Sequence, residues 1–317
     1  MHVGTGKENY DFSSEELQSD TLSSALAALR AAEGKDKDIG QFLRSFALSS
    51  AFPYYKQDYF LPAYLGRLPI EVKGQAESQY RKKLKKIRFI ALPLWKRLVN
   101  GETLSVTSGQ INGQYLLEEG KTLPALYKRA TLQRVQVPRD GNVSGNKLFY
   151  FEWTYFNPCG GLYCLADADE ATFAELKQLF KRLGEEGLGT DRTVGGGRFD
   201  VEDTGGTLEL PDVARPDARM LLSLYIPSEE ELHGLHLQDS RYDLLLRGGY
   251  MAGSSEPGYR HLWKKNVYMF NTGSVFATTE TLQGVVVNLR PDYGGDDMHD
   301  VYRSGRTLSV PIRLKHE

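Results

Sequence analysis

The stretch from Gly187 to Phe199, Gly-Leu-Gly-Thr-Asp-Arg-Thr-Val-Gly-Gly-Gly-Arg-Phe, constrains this chain more than any other. Five of its first eleven residues are glycine (Gly187, Gly189, Gly195, Gly196 and Gly197), and Arg192 and Arg198 are set among them. Glycine tolerates positive φ and lets amides approach a ligand closely. Successive amides in such a turn make a concave anion site, and the two arginines add charge-assisted bonds to phosphate. A helix pattern precedes the loop. Phe173, Leu176, Leu179, Phe180 and Leu183 share one face, Lys181 and Arg182 fall in the last turn, and Gly184 or Gly187 caps the end. That order excludes two nucleotide folds. A mononucleotide P-loop needs a lysine after its last glycine, and none stands there. A dinucleotide fingerprint runs strand, loop, helix, and here Arg192 occupies the place of the third glycine. The alternative is a connector that only closes the helix.

Charge is unevenly spread, although the formal net charge is only −2. Arg81 to Lys147 holds fourteen Lys and Arg against four acids, and Asp200 to Asp243 holds eleven acids against three Arg. One basic face for a polyanion and one acidic face for another partner would follow. The length of 317 residues suggests two domains. The two cysteines, Cys159 and Cys164, are too few for a disulfide framework or a structural zinc site. No apolar run is long enough to span a membrane, and no signal peptide is evident. A cytoplasmic protein is expected.

Local patterns give α+β order. Ser19-Asp20 offers a helix N-cap before Leu22, Ala25, Leu26 and Leu29. Phe46 to Tyr64 is strand-like with Pro53 and Pro62 as breakers, and Phe89 to Val99 turns helical near Leu94. Lys121 to Arg139 has five basic residues and no acid. It leads through Asp140-Gly141-Asn142, a turn signal, into the aromatic run Lys147 to Tyr155, which reads as a hairpin arm. Further strands are expected at 161–166, 221–226, 242–246, 265–270, 275–276, 282–289 and 307–314. Interleaved strands and single helices argue against a doubly wound sheet.

Catalytic constellations are weak. His233-x-x-His236 lacks a third metal ligand, and Asp296-Asp297 with His299 lies in a glycine-rich turn. No Gly-x-Ser-x-Gly elbow is present. His2 is a candidate general base for an RNA endonuclease, with no partner to name. No metal or cofactor is expected.

Taken in order, the motifs resemble the RAMP superfamily of CRISPR systems. More narrowly, they resemble the subunit-four family of the type III-A (Csm) effector complex. The resemblance is carried by His2-Val3-Gly4, by Ser19-Asp20-Thr21-Leu22 with Ala25-Leu26, and by Ser50 to Tyr54 with Tyr59 to Pro62. It continues in Arg129 to Val135, Lys147-Leu148-Phe149, the glycine loop, Lys264-Lys265 to Phe270, Gly273 to Phe276 and His299 to Gly305. Departures are Ser23 for Phe, Gln133 for Asp and Asp300 for Pro. On this resemblance, the family's first strand, before the His-x-Gly segment, is expected to be missing.

The resemblance implies two ferredoxin-like (RRM-type) domains, residues 1–150 and 151–317, with a protruding β-hairpin thumb. It implies a non-catalytic subunit that binds the 5′ handle of the guide RNA. That subunit would bridge the large palm-domain subunit to the backbone filament subunit. The expected RNA-binding residues are His2, Gly4, Ser19, Arg129, Arg134, Lys147, Gly187, Gly189, Arg192, Gly195, Gly196, Gly197, Arg198, Lys264 and Lys265. A side chain at Gly196 would then block RNA and leave the fold intact. The other readings are a metal-independent guide-processing endoribonuclease of the same superfamily and a small-molecule phosphate enzyme using the loop.

Overall fold

The computed structural model describes residues 1, 2, 13, 16–74, 76–136, 147–204, 208–251, 254, 256–293 and 297–314. The Asp140-Gly141-Asn142 turn and Gly4 lie outside them. The protein is mixed α+β and is built on several small sheets.

The first helix, Ser19–Ala32, carries Leu22, Leu26 and Leu29 on one stripe. That stripe meets Leu176, Leu179 and Leu183 of the helix Glu170–Glu186, and Phe42, Leu43, Phe46 and Leu48 complete the cluster. Phe173 lies in the first turn of the second helix, outside this seam, and is 40% exposed. That helix runs on to Glu186, so Lys181 and Arg182 fall short of its last turn. Arg182 instead pairs with Glu33 and, at 3.0 Å, with Glu186. Gly187 takes the C-cap at φ 87°.

The N-cap of the first helix is Gln18, not Ser19-Asp20. Both expected cap residues are inside the helix and buried, because their side chains have distant partners. The Ser19 hydroxyl accepts from the Leu224 amide at 3.0 Å, and Asp20 pairs with Arg247 and Arg303.

A six-stranded sheet runs in the order Gly160–Tyr163, Phe52–Tyr55, Asp58–Pro62, Phe89–Ala91, Tyr115–Leu116, Ile111–Asn112. A three-stranded sheet runs Val275–Phe276, Ala218–Leu221, Ser309–Ile312. The helix Leu92–Val99 sits with both, burying Leu94, Trp95, Leu98 and Val99 in one cluster with Leu61, Ile90, Met220, Val275, Val310 and Ile312. Trp95 Nε1 donates to the Pro62 carbonyl at 2.9 Å. Pro53 does not break its strand. It pairs with Leu162 on one side, while the ladder on the other side covers only Tyr54 and Tyr55. A residue without an N–H is tolerated where no ladder bond is asked of it.

Strands expected at 242–246, 265–270, 282–289 and 307–314 are present as Leu244–Arg247, Val267–Phe270, Val286–Asn288 and Ser309–Ile312. The one expected at 221–226 begins at Ala218 and ends at Leu221, and the one at 161–166 splits into Gly160–Tyr163 and Ala166–Ala168. Both large apolar clusters draw residues from both halves of the sequence.

Candidate nucleic-acid interface

The hairpin arm is the longest pairing in the molecule's described residues. Tyr127–Gln136 and Lys147–Phe156 pair antiparallel over ten positions, from Tyr127↔Phe156 to Gln136↔Lys147. At roughly 3.4 Å per residue such a ribbon is about 34 Å long. Four of its apolar side chains are open: Leu132, Val135, Leu148 and Tyr150 are all at least 45% exposed. Its middle is nevertheless partly covered on both faces. Phe151 is 1% exposed under the His2 ring, whose centroid is 4.6 Å away, and under the Arg134 guanidinium at 4.4 Å. On the opposite face Glu152 accepts from the Ser13 amide at 3.0 Å.

The glycine loop is fastened to this middle part of the arm at three points. His2 Nδ1 lies 2.8 Å from the Glu152 carbonyl oxygen of the arm, and the His2 carbonyl accepts from the Thr190 amide of the loop at 3.2 Å. Arg134 of the arm pairs with Asp191 of the loop. Gly196 lies against Trp153 so closely that a Cβ there would meet the indole at 2.5 Å and the Asp191 carbonyl at 2.8 Å. Gly196→Val therefore cannot be accommodated without a shift of arm or loop, contrary to expectation, because the position is buried against the arm. Gly189, at φ 94°, has no room for a Cβ beside the His2 carbonyl.

These contacts revise what the glycines are for. The amides of Gly187, Leu188, Thr190, Gly195 and Gly196 donate to the carbonyls of Leu183, Gly197, His2, Arg192 and Asp191. The loop is thus closed on itself and on His2, and the glycines serve close backbone packing. Arg192 and Arg198 are exposed, and neither guanidinium has a partner among the described residues. Gly195 has nothing within 4 Å of its missing Cβ and faces open space. Arg129, on the arm, lies over Tyr127 at 5.7 Å and 3.9 Å from Glu152.

The remaining expected residues lie elsewhere. Lys147 begins the second arm strand. Ser19 is buried in the hydrogen bond to Leu224. Lys265 pairs with Asp292 at 2.6 Å. Lys264 belongs to a second charged centre that local patterns could not reveal. There the fully buried Asp20 carboxylate accepts from Arg247 Nε and Nη2, both at 2.9 Å, and from Arg303. Burial pushes the Asp20 carboxyl up, but Arg303 and Arg247 more than offset this and hold it below its ordinary 3.8. Burial, and next Arg303, push the Lys264 ammonium down to about 8.

Among the described residues no three His, Cys, Asp or Glu side chains are arranged to hold a metal ion. His299 is bound to Ser254 Oγ at 2.7 Å and to the Asp300 carbonyl at 2.8 Å. No helix of the described residues is long and apolar enough to cross a membrane.

Comparison with known proteins bears out the resemblance read from the sequence. Residues 215–312 match the family described as CRISPR Csm4 C-terminal domain. The chain is 26% identical over 313 residues to "CRISPR system Cms protein Csm4" of Mycobacterium tuberculosis, covering 97% of this chain and 93% of that protein. It is 27% identical over 304 residues to the protein of the same name from Streptococcus thermophilus, covering 92% and 89%. Its fold is that of a chain in the crystal structure of a Csm1–Csm4 cassette in complex with pppApA, with a TM-score of 0.60 at 19% identity over 95% of this chain and 93% of the other. A chain of the Csm3–Csm4 subcomplex in the type III-A CRISPR-Cas interference complex gives 0.56 at 19% identity, covering 94% of each.

Proposed function

We propose that this chain, a Csm4-type subunit, is the non-catalytic subunit that holds the 5′ handle of the guide RNA in a cytoplasmic type III-A CRISPR complex. Its two halves, 1–150 and 151–317, would each be ferredoxin-like and share the cores described above. The arm would be the thumb. One side would dock the large palm-domain subunit and the other the backbone filament subunit, as the relatives solved with Csm1 and with Csm3 suggest.

The observation that carries the reading is the junction of arm and glycine loop. A cationic loop, with Arg192 and Arg198 unpaired among the described residues, is joined to the middle of an aromatic ribbon by His2, Arg134 and Gly196. Single-stranded RNA is bound by such a combination of phosphate-seeking cations and exposed rings. The junction also bears on the endoribonuclease reading. A general base must reach the proton it removes, whereas His2 is 1% exposed and bonded to a main-chain carbonyl.

Co-purification of the tagged chain from its native operon tests the proposal. Recovery of guide RNA with the two neighbouring subunits is expected, and isolated repeat RNA should stay uncut by the purified chain. Cleavage that disappears in His2→Ala would favour the endoribonuclease.

A further inference from the structure

A cleft of about 2090 Å³ lies beside the strand Ile70–Val72 and the helix Glu77–Leu84, and neither the arm nor the glycine loop lines it. Small-molecule sites are roughly 300–1,000 Å³, so this one has room for a length of chain. It is open to water, because Arg67, Glu71, Lys73, Arg81, Lys85 and Arg88 on its walls are all exposed. Six Lys and Arg line it against four Asp and Glu. Arg88 is taken by Glu16, and the Asp217 carboxylate accepts from the Leu314 amide at 2.8 Å. Lys73, Arg81 and Lys85 have no ion-pair partner among the described residues. Arg81 and Lys85 belong to the run Arg81 to Arg88, which holds six positive charges and no acid. The surplus on this wall calls for an acidic occupant.

Another wall is a sheet edge. Ile70–Val72 pairs in parallel with Leu104–Val106, and no strand joins its other side among the described residues. The Leu104 amide donates to the Pro69 carbonyl and the Lys73 amide to the Val106 carbonyl, both at 2.8 Å, so the odd-numbered positions face that partner. Alternate residues of a strand bond to opposite sides. The Val72 amide and the Ile70 and Val72 carbonyls therefore turn to the open edge. Leu68, Leu84 and Phe89, all half-buried, give the cleft an apolar lining. We propose that this cleft docks an extended acidic segment of a partner protein, which adds a strand to the Ile70–Val72 edge. Every second side chain of such a strand falls on the apolar lining, and the others carry carboxylates to Lys73, Arg81 and Lys85. RNA has no peptide groups to continue a sheet. Tyr64 and Tyr80 in the walls are buried, so neither offers an open face to a base. The site does not rest on the RNA-binding reading above.

The test uses the full chain and a fluorescein-labelled octapeptide of alternating Val and Glu, with anisotropy measured at low salt. Saturable binding with a Kd below about 1 mM is expected. Arg81→Ala/Lys85→Ala should weaken it about five- to tenfold, the scale of two exposed ion contacts. Both side chains are exposed, so the double variant should melt with the parent. Two further peptides, N-methylated on the odd or on the even residues, probe the edge. One should lose binding about tenfold or more and the other should keep it, since an added strand bonds through one side only. Equal loss in both peptides, or loss in neither, overturns the added strand. Equal binding of an alternating Val and Lys octapeptide, or no binding of the Val and Glu peptide below about 1 mM, overturns the acidic occupant. Labelled single-stranded RNA that the double variant binds less well, and that the peptide does not displace, would give the cleft to RNA and overturn the proposal too.

Discussion

Two of the molecule's Arg–Asp contacts, each joining parts distant in sequence, differ in what surrounds them. Arg134 and Asp191 join the arm to the glycine loop with side chains 30% and 26% exposed, so water screens the pair. Asp20 with Arg303 joins the first helix to the C-terminal half with side chains 0% and 5% exposed. A pair near water contributes little and can be made and broken. A buried pair becomes a liability once one member is removed, because the other is left as an uncompensated charge. Nearly the same chemistry therefore gives an adjustable joint in one place and a fixed one in the other.

The largest expected effect tests the fixed joint. Asp20→Ala strands cations in the interior and should cost about 3–5 kcal/mol in urea unfolding. If it costs no more than Arg134→Ala, the distinction fails. Acid titration sharpens it. Because the folded Asp20 carboxyl lies below its ordinary 3.8, its stabilisation is complete above the unfolded value and is lost as pH falls through the folded one. Asp20→Asn should reduce that part of the acid sensitivity.

Next comes the steric seam of the adjustable joint. Gly196→Val forces a side chain against Trp153 and should lower stability by about 1–3 kcal/mol, the usual range for overpacking. Thermal melting together with tryptophan emission checks it, and an unchanged emission spectrum would mean that arm and loop do not touch there.

Smaller still, Arg134→Ala should cost at most about 1 kcal/mol while weakening RNA binding. The smallest change in stability is expected for Arg192→Ala and Arg198→Ala, within about 0.5 kcal/mol. Each should nevertheless flatten the salt dependence of RNA binding by about 0.7. Equal losses of stability and affinity would mean that these two arginines only solvate a connector.

The adjustable region was legible in the sequence and the fixed one was not. Arm strands alternate locally, and a turn signal lies between them, so neighbouring residues carry the whole pattern. The glycine loop was legible as a feature but misleading as to cause. Its glycines make room for His2, Asp191 and Trp153, and its two arginines stay exposed. Asp20 read as a helix cap because Ser-Asp before an apolar run is a cap pattern. Its true partners stand at 247 and 303, and no local rule links positions more than 200 residues apart. Tyr302–Ser304 escaped notice for the same reason: three residues with no run of their own become a strand only by pairing with Val286–Asn288.

The shared cores also bear on how the chain is made. When the ribosome has finished Leu116, one side of the larger core exists, with Leu61, Ile90, Trp95 and Leu98 ready to be covered. Met220, Val275, Val310 and Ile312, which close it, follow over about 200 further residues. At elongation speeds of about 5–20 residues per second, that surface waits for roughly 10–40 s. The local hairpin of the arm can form in microseconds once both its strands are out. A growing chain thus holds a finished arm on an unfinished body, and it is in this interval that a chaperone or a neighbouring subunit has the most apolar surface to shield.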